Sequence, residues 1–103
     1  MTIGAELMDA GVDLLYYADP GQDHVDLAEA KKRFGGRMAM AGGINTTLHL
    51  NPGTTDVIRA IVRKALEVFG RKDGVILSPV DNLFPDTSWQ AVETMIAAWK
   101  AHC

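Results

Sequence analysis

The sequence has little of several features that mark common protein classes. Its single cysteine, Cys103, is the last of 103 residues. This excludes an intrachain disulfide and a multi-cysteine zinc or iron–sulfur site, and it is typical of a protein in the reducing cytoplasm. Ten Lys and Arg stand against thirteen Asp and Glu, for a formal net charge of −3. There is no basic excess of the kind that binds nucleic acid or an anionic membrane.

Long apolar runs are also lacking. No run approaches the ~20 residues of a membrane-spanning helix. The first residues, MTIGAELMDAG, carry two acids and no basic residue, which argues against a signal peptide. No low-complexity segment, charge block or linker divides the chain, and 48% of the residues are hydrophobic and 22% charged. We therefore expect one domain over residues 1–103, soluble and cytoplasmic, with no nucleic-acid or membrane partner.

Helical and extended patterns alternate along the chain. Apolar spacing and capping residues predict helices over 2–10, 27–34 and about 54–69. A last helix is expected to start at the apparent capping box of residues 87–90, TSWQ. Nearly all-apolar runs predict strands over 12–18, 37–42 and 74–78. The order αβαβαβα predicts an α/β fold with three parallel strands joined by right-handed crossovers.

The loops of this predicted fold are unequal. The three segments that follow strands, 19–26, 42–53 and 78–86, are long and polar, whereas those that follow helices are short and glycine-rich. Long polar loops at the carboxyl ends of parallel strands are where α/β folds place their sites. We therefore expect any functional site at the carboxyl edge of the sheet.

Five polar residues in these loops are candidates for that site. Asp81 and Asn82 form the strongest pair, because a turn needs one such residue and two of them indicate a pocket lining. Asp19 stands directly beyond a strand and is equally compatible with a plain turn, and Asn45 suits a pocket wall as well as a turn. Ser78 flanks the pair. No nucleophile–base pair or metal-ligand spacing can be assembled from these loops, so no metal or cofactor is expected.

Three stretches give the sequence a family resemblance. They are GGIN at 42–45, GTTDV at 53–57 and GVILSPVDNLFPDTSW at 74–89. Together they resemble the C-terminal part of the uroporphyrinogen decarboxylase superfamily, which also contains corrinoid- and coenzyme M-dependent methyltransferases. The resemblance covers about residues 5–100. It implies the last three β/α units of a TIM-type (β/α)₈ barrel, preceded by one helix.

The resemblance also implies a function and roles for the candidate residues. The leading function is decarboxylation of a porphyrin-type tetrapyrrole carboxylate, a carbon–carbon lyase reaction. Asp81 would be the catalytic acid–base group or a polar group that binds the substrate, and Asn45 and Asn82 would orient a carboxylate or carbonyl of a small-molecule substrate. Asp19 and Ser78 would complete the substrate-binding wall.

Departures from the family pattern leave alternatives open. At the place of Asp81, the decarboxylases carry a pocket-lining histidine and the zinc methyltransferases a metal-binding cysteine. The family's catalytic arginines and aspartate, and the methyltransferases' His-x-Cys motif, belong to segments absent here. One alternative is a methyltransferase relative with Asp81 as an oxygen ligand to a metal. Another is a truncated or split barrel without activity of its own. We expect the isolated chain to be inactive as a decarboxylase.

An open piece of a barrel needs partners. The first and third strands would lack neighbours, and inner-face side chains such as Leu15, Met40 and Ile76 or Leu77 would be uncovered. We therefore expect a homo-oligomer, most simply a two-fold dimer, or association with a complementary barrel fragment.

Overall fold

The computed structural model describes residues 4–18, 26–34, 36–69, 74–80 and 82–102. None of the helices in these ranges is long and apolar enough to cross a membrane. The elements in chain order are α1 (Gly4–Asp9), β1 (Leu14–Ala18), α2 (Leu27–Phe34), β2 (Ala39–Ile44), a π-helical turn (Thr46–Leu50), α3 (Thr55–Phe69), β3 (Val75–Pro79) and α4 (Trp89–His102).

The three strands form one parallel sheet in the order β1-β2-β3. The predicted α/β fold with alternating helices and parallel strands is thereby confirmed. The pairing of β1 with β2 shifts register between Tyr16 and Ala18, whereas β2 and β3 stay in register from Met40↔Val75 to Ile44↔Pro79. The strand β2 extends two residues beyond its predicted end, because Gly42 and Gly43 continue the pairing instead of terminating it.

The hydrophobic core lies between the sheet and helices α2, α3 and α4. Phe34 of α2 and Phe69 of α3 bury their rings against Met40 of β2. A second cluster joins Ile44 at the end of β2 to Val62 of α3 and to residues of α4. These contacts cover one face of the sheet, and all of the named side chains are less than 3% exposed.

The other face of the sheet, here called the open face, is not covered by the described helices. Most of the side chains on it are not the ones that the sequence predicted there. Leu15 and Met40, predicted for the uncovered side, pack into the helix-covered core, as does Leu77, which was given as the alternative to Ile76. The open face instead carries Leu14 and Tyr16, together with Ile76, which was predicted there. The reason is physical: strands that are apolar at nearly every position have no alternation, so the sequence does not indicate which residues face the helices.

Capping residues fix three of the helix starts. At the start of α3, Thr54 Oγ1 accepts from the Val57 N–H at 3.4 Å. As predicted, the Asp26 Oδ1 accepts hydrogen bonds from the backbone N–H groups of Ala28 (2.8 Å) and Glu29 (3.4 Å) at the start of α2. The expected cap of α4 was wrong by one residue. The Ser88 Oγ, and not Thr87, accepts from the Ala91 N–H at 3.1 Å. The Thr87 hydroxyl instead forms hydrogen bonds with Asn51 and with the Phe84 N–H.

Candidate functional site

The carboxyl ends of the three strands lie at one edge of the sheet, because the strands are parallel. They end at Ala18, Ile44 and Pro79. Asn45 follows the middle strand directly, and Ser78 lies opposite Gly43 near the end of β3. Asp19 and Asp81 lie outside the described residues, so their expected places at this edge stay predictions.

The glycine pair at the end of β2 is explained by close packing. Gly42 and Gly43 have φ values of +137° and +96°, which L side chains rarely adopt. A Cβ on Gly43 would lie 3.2 Å from the Phe69 ring and 3.4 Å from Leu77 Cδ1. Gly43 therefore lets the end of the strand pack closely against α3.

Asn45 is completely buried and acts as the cap of the π-helical turn. Its Oδ1 accepts from the Leu48 N–H at 2.8 Å, and its own backbone N–H donates to His49 Nδ1 at 3.0 Å. The Nδ1 atom of His49 is the acceptor in this bond. The hydrogen bonds of Asn45 and His49 thus fix the backbone of the π-helical turn that follows β2.

The π-helical turn was not predicted from the sequence, which suggested an irregular loop over 42–53. Its wide hydrogen bonds run from the Leu50 N–H to the Asn45 carbonyl (3.4 Å) and from the Asn51 N–H to the Thr46 carbonyl (2.9 Å). Asn45, three residues before the bonded Leu48 N–H, is the sequence signal that could have indicated a capped turn. Such turns are rare and occur frequently at functional sites.

A side-chain network fastens the loop after β3 to this turn. Asn51 Nδ2 donates to Asp86 Oδ2 at 3.3 Å, and Thr87 Oγ1 donates to Asn51 Oδ1 at 2.6 Å. The Phe84 N–H in turn donates to Thr87 Oγ1 at 3.2 Å. The network fixes a loop that leaves Asn82, Leu83 and Phe84 exposed. Asn51 and Thr87 were missed as site residues because the sequence places them 36 positions apart.

Two hydroxyl groups near this edge are buried without a hydrogen-bond partner among the described residues, Thr46 Oγ1 and Ser78 Oγ. Buried polar atoms are nearly always paired, so each such exception has a structural or functional cause. The structure places the predicted residue Ser78 near the carboxyl end of β3, opposite Gly43, with its hydroxyl buried.

A polar cavity of about 250 Å³ lies apart from these residues, between the first turns of α3 and α4. It is lined chiefly by Thr54, Thr55, Ser88 and Gln90, with Ile58 and Ala91 from the helix-covered core. None of the predicted site residues is among its lining residues. Within the described ranges, no group of three or more His, Cys, Asp or Glu side chains is placed to hold a metal ion.

Comparison with known proteins identifies the family. A family model described as uroporphyrinogen decarboxylase matches residues 2–102. The chain belongs to the uroporphyrinogen decarboxylase family. A curated relative, the uroporphyrinogen decarboxylase of Methylococcus capsulatus, is 34% identical over 94 residues. That match covers 89% of this chain and 25% of the relative, so the chain spans about a quarter of the curated relative's length.

Membership of this family confirms the resemblance noted in the sequence. Three of every four residues of the relative have no counterpart in this chain. The roles that the sequence predicts for single residues of the site stay predictions.

Proposed function

We propose that this chain supplies part of an active site that decarboxylates the carboxylate side chains of a porphyrinogen-type tetrapyrrole. The observation that carries the proposal is the 34% identity, over 89% of this chain, to a relative named uroporphyrinogen decarboxylase. In such a reaction the carbon–carbon bond to the carboxylate breaks, carbon dioxide leaves, and a proton takes its place on the carbon.

The carboxyl edge offers groups that suit this chemistry. Asp81 is the proposed acid–base group, since a carboxyl group placed next to the reacting carbon can deliver the proton. Ser78 brings a hydroxyl that has no partner among the described residues, and Asn82 is exposed on the fastened loop. Asp19 would face them from the end of β1. Asn45 contributes indirectly, because its side chain fixes the backbone of the π-helical turn next to this edge.

The positions of the arginines favour a site to which this chain contributes only some of the substrate-binding groups. A polycarboxylate substrate needs cationic partners, because a buried carboxylate without one is strongly unfavourable. Each described arginine lies within 4.0 Å of an Asp or Glu carboxylate oxygen. All lie in helices or ahead of the first residue of β2: Arg33, Arg37, Arg59 and Arg63. Arg71 is outside the described residues. Cations for the substrate carboxylates are therefore expected from other segments.

The experiment that tests the proposal is a hybrid enzyme. In it, this chain replaces the 94 matched residues of the M. capsulatus decarboxylase. We expect the hybrid to convert uroporphyrinogen, and the isolated chain to show no turnover above a heat-killed control. A hybrid that is folded by circular dichroism and cooperative melting, yet inactive beside the active parent, would contradict the proposal.

A further inference from the structure

His49 is the only ionisable side chain of β2 and the π-helical turn. Its Nδ1 accepts the backbone N–H of Asn45 at 3.0 Å, and Asn45 is completely buried. A buried backbone N–H that loses its acceptor is strongly unfavourable. The contact with His49 therefore stabilises the turn at the point where it leaves the middle strand of the sheet.

The described surroundings of the His49 ring are apolar. Side chains from β2, the turn and α3 line its pocket: Ile44, Leu50, Ile58, Ile61 and Val62. The ionisable side chains of α3 all lie on its exposed surface: Asp56, Arg59, Arg63, Lys64 and Glu67. In the loop after β3, Asp86 is exposed and contacts Asn51. Apolar surroundings of this kind favour an uncharged ring over a charged one.

The bond between His49 and Asn45 depends on the protonation of the ring. An imidazole nitrogen accepts a hydrogen bond only while it carries no proton, and both nitrogens are donors in the charged ring. A proton on Nδ1 would face the proton of the Asn45 N–H, and the bond would be lost. Histidine is the side chain that ordinarily changes its charge between pH 5 and 8. The bond is therefore kept above the titration of the ring and lost as the pH falls through it.

The π-helical turn is in turn connected to the loop after β3. The Asn51 N–H donates to the Thr46 carbonyl at the end of the turn. The Asn51 side chain forms hydrogen bonds with Asp86 and Thr87, and the Thr87 hydroxyl accepts from the Phe84 N–H. A change in the conformation of the turn thus reaches the loop through consecutive hydrogen bonds.

We infer that His49 is a pH-sensitive switch for the carboxyl edge of the sheet. The uncharged ring holds the π-helical turn in place. Protonation releases the Asn45 N–H and loosens both the turn and the loop after β3. The inference concerns the conformation of this edge and does not depend on the activity proposed above.

Amide hydrogen exchange of the full chain, followed by NMR and expressed as protection factors, tests the switch. Between about pH 7.5 and about pH 5, the protection of the Asn45 amide should fall about tenfold, and that of the Phe84 amide should fall with it. The midpoint of the loss should coincide with the titration of the His49 ring protons. The amide of Val62, in the middle of α3, should keep its protection, which separates local release from global unfolding.

Two substitutions of His49 separate the acceptor from the titration. His49→Asn places a carbonyl oxygen where Nδ1 lies and does not titrate, so Asn45 should stay protected at both pH values. His49→Gln carries its oxygen one bond farther from the backbone, so the protection of Asn45 should be low at both. His102→Asn, the same change at the end of α4, should keep the pH dependence of the parent chain.

Several results would overturn the inference. If the His49 ring titrates while the protection of Asn45 stays constant, the charged ring also holds the turn. A ring that does not titrate above pH 5 excludes the switch in the range where histidine ordinarily acts. An equal loss of protection in His49→Asn assigns the pH dependence to another group. Loss at Asn45 without loss at Phe84, or loss that includes Val62, is equally incompatible with a switch of this edge.

Discussion

Tyr16 and Ile76 flank Ala41 in one row across the sheet, and both side chains are more than half exposed, at 60% and 57%. The two residues are 60 positions apart in the sequence and come together only through the pairing of both strands with β2. Their exposure marks the side of the sheet that α2, α3 and α4 leave bare. Whether the chain associates in solution should depend on this side of the sheet.

The isolated chain should associate with itself when no other polypeptide covers the open face. Burying one exposed aliphatic side chain is worth about 1.5–3 kcal/mol, so several together favour a dimer or larger species. Light scattering at micromolar concentration should report more than the 11.2 kDa monomer. Ile76→Glu should shift the population toward monomer. Val57→Glu, a change of the same kind at a 47% exposed position of α3, should not. A monomeric parent chain would refute the prediction.

Asn51 should control how firmly the loop after β3 is held. Asn51→Asp removes the N–H donor to Asp86 and puts a second carboxylate beside the first, which lies 3.3 Å from the present amide nitrogen. We expect the free energy of unfolding to fall by about 1–3 kcal/mol. Urea denaturation measures this change.

Asn82→Asp is the matched control, because it makes the same chemical change at an exposed position of the same loop. It should alter stability by no more than about 0.5 kcal/mol. Equal effects of the two substitutions would mean that the contact between Asn51 and Asp86 does not hold the loop.

The start of α4 offers a test of its cap. Ser88→Ala removes the oxygen that accepts from the Ala91 N–H at 3.1 Å, and such losses cost about 1 kcal/mol. Amide hydrogen exchange should become faster in the first turn of α4. Thr87→Ala should instead speed exchange at Phe84, whose N–H donates to the Thr87 hydroxyl. The reverse assignment of the two effects would restore Thr87 as the cap.

The fold could be predicted from the sequence because its signals are local. Alternating helical and extended patterns, the Asp26 cap and apolar runs indicate three parallel strands between helices, and the structure has this order. The face of each strand could not be predicted, since side chains such as Leu14 and Leu15 are equally apolar. Their positions depend on packing against distant helices.

The placement of two candidate residues at one edge of the sheet was predictable from the sequence. Strand ends and polar loops indicate the carboxyl edge, where Asn45 and Ser78 are found. The sequence gives little sign that Asn45 is buried as a cap, or that Asn51 and Thr87 join two loops. These are contacts between segments, and their partners are 36 positions apart in the case of Asn51 and Thr87. The roles of Asp19 and Asp81 stay predictions.

If this chain brings the catalytic group Asp81 to a decarboxylase site, the turnover number of the hybrid decarboxylase should depend on that carboxylate, and Asp81→Asn removes it. Loss of a general acid–base group typically lowers kcat about 10²–10⁴-fold. We predict a loss in this range, with unchanged melting. Asp9→Asn, a carboxylate 80% exposed at the end of α1, should leave kcat unaltered. A hybrid with Asp81→Asn that keeps the kcat of the unsubstituted hybrid would contradict the account.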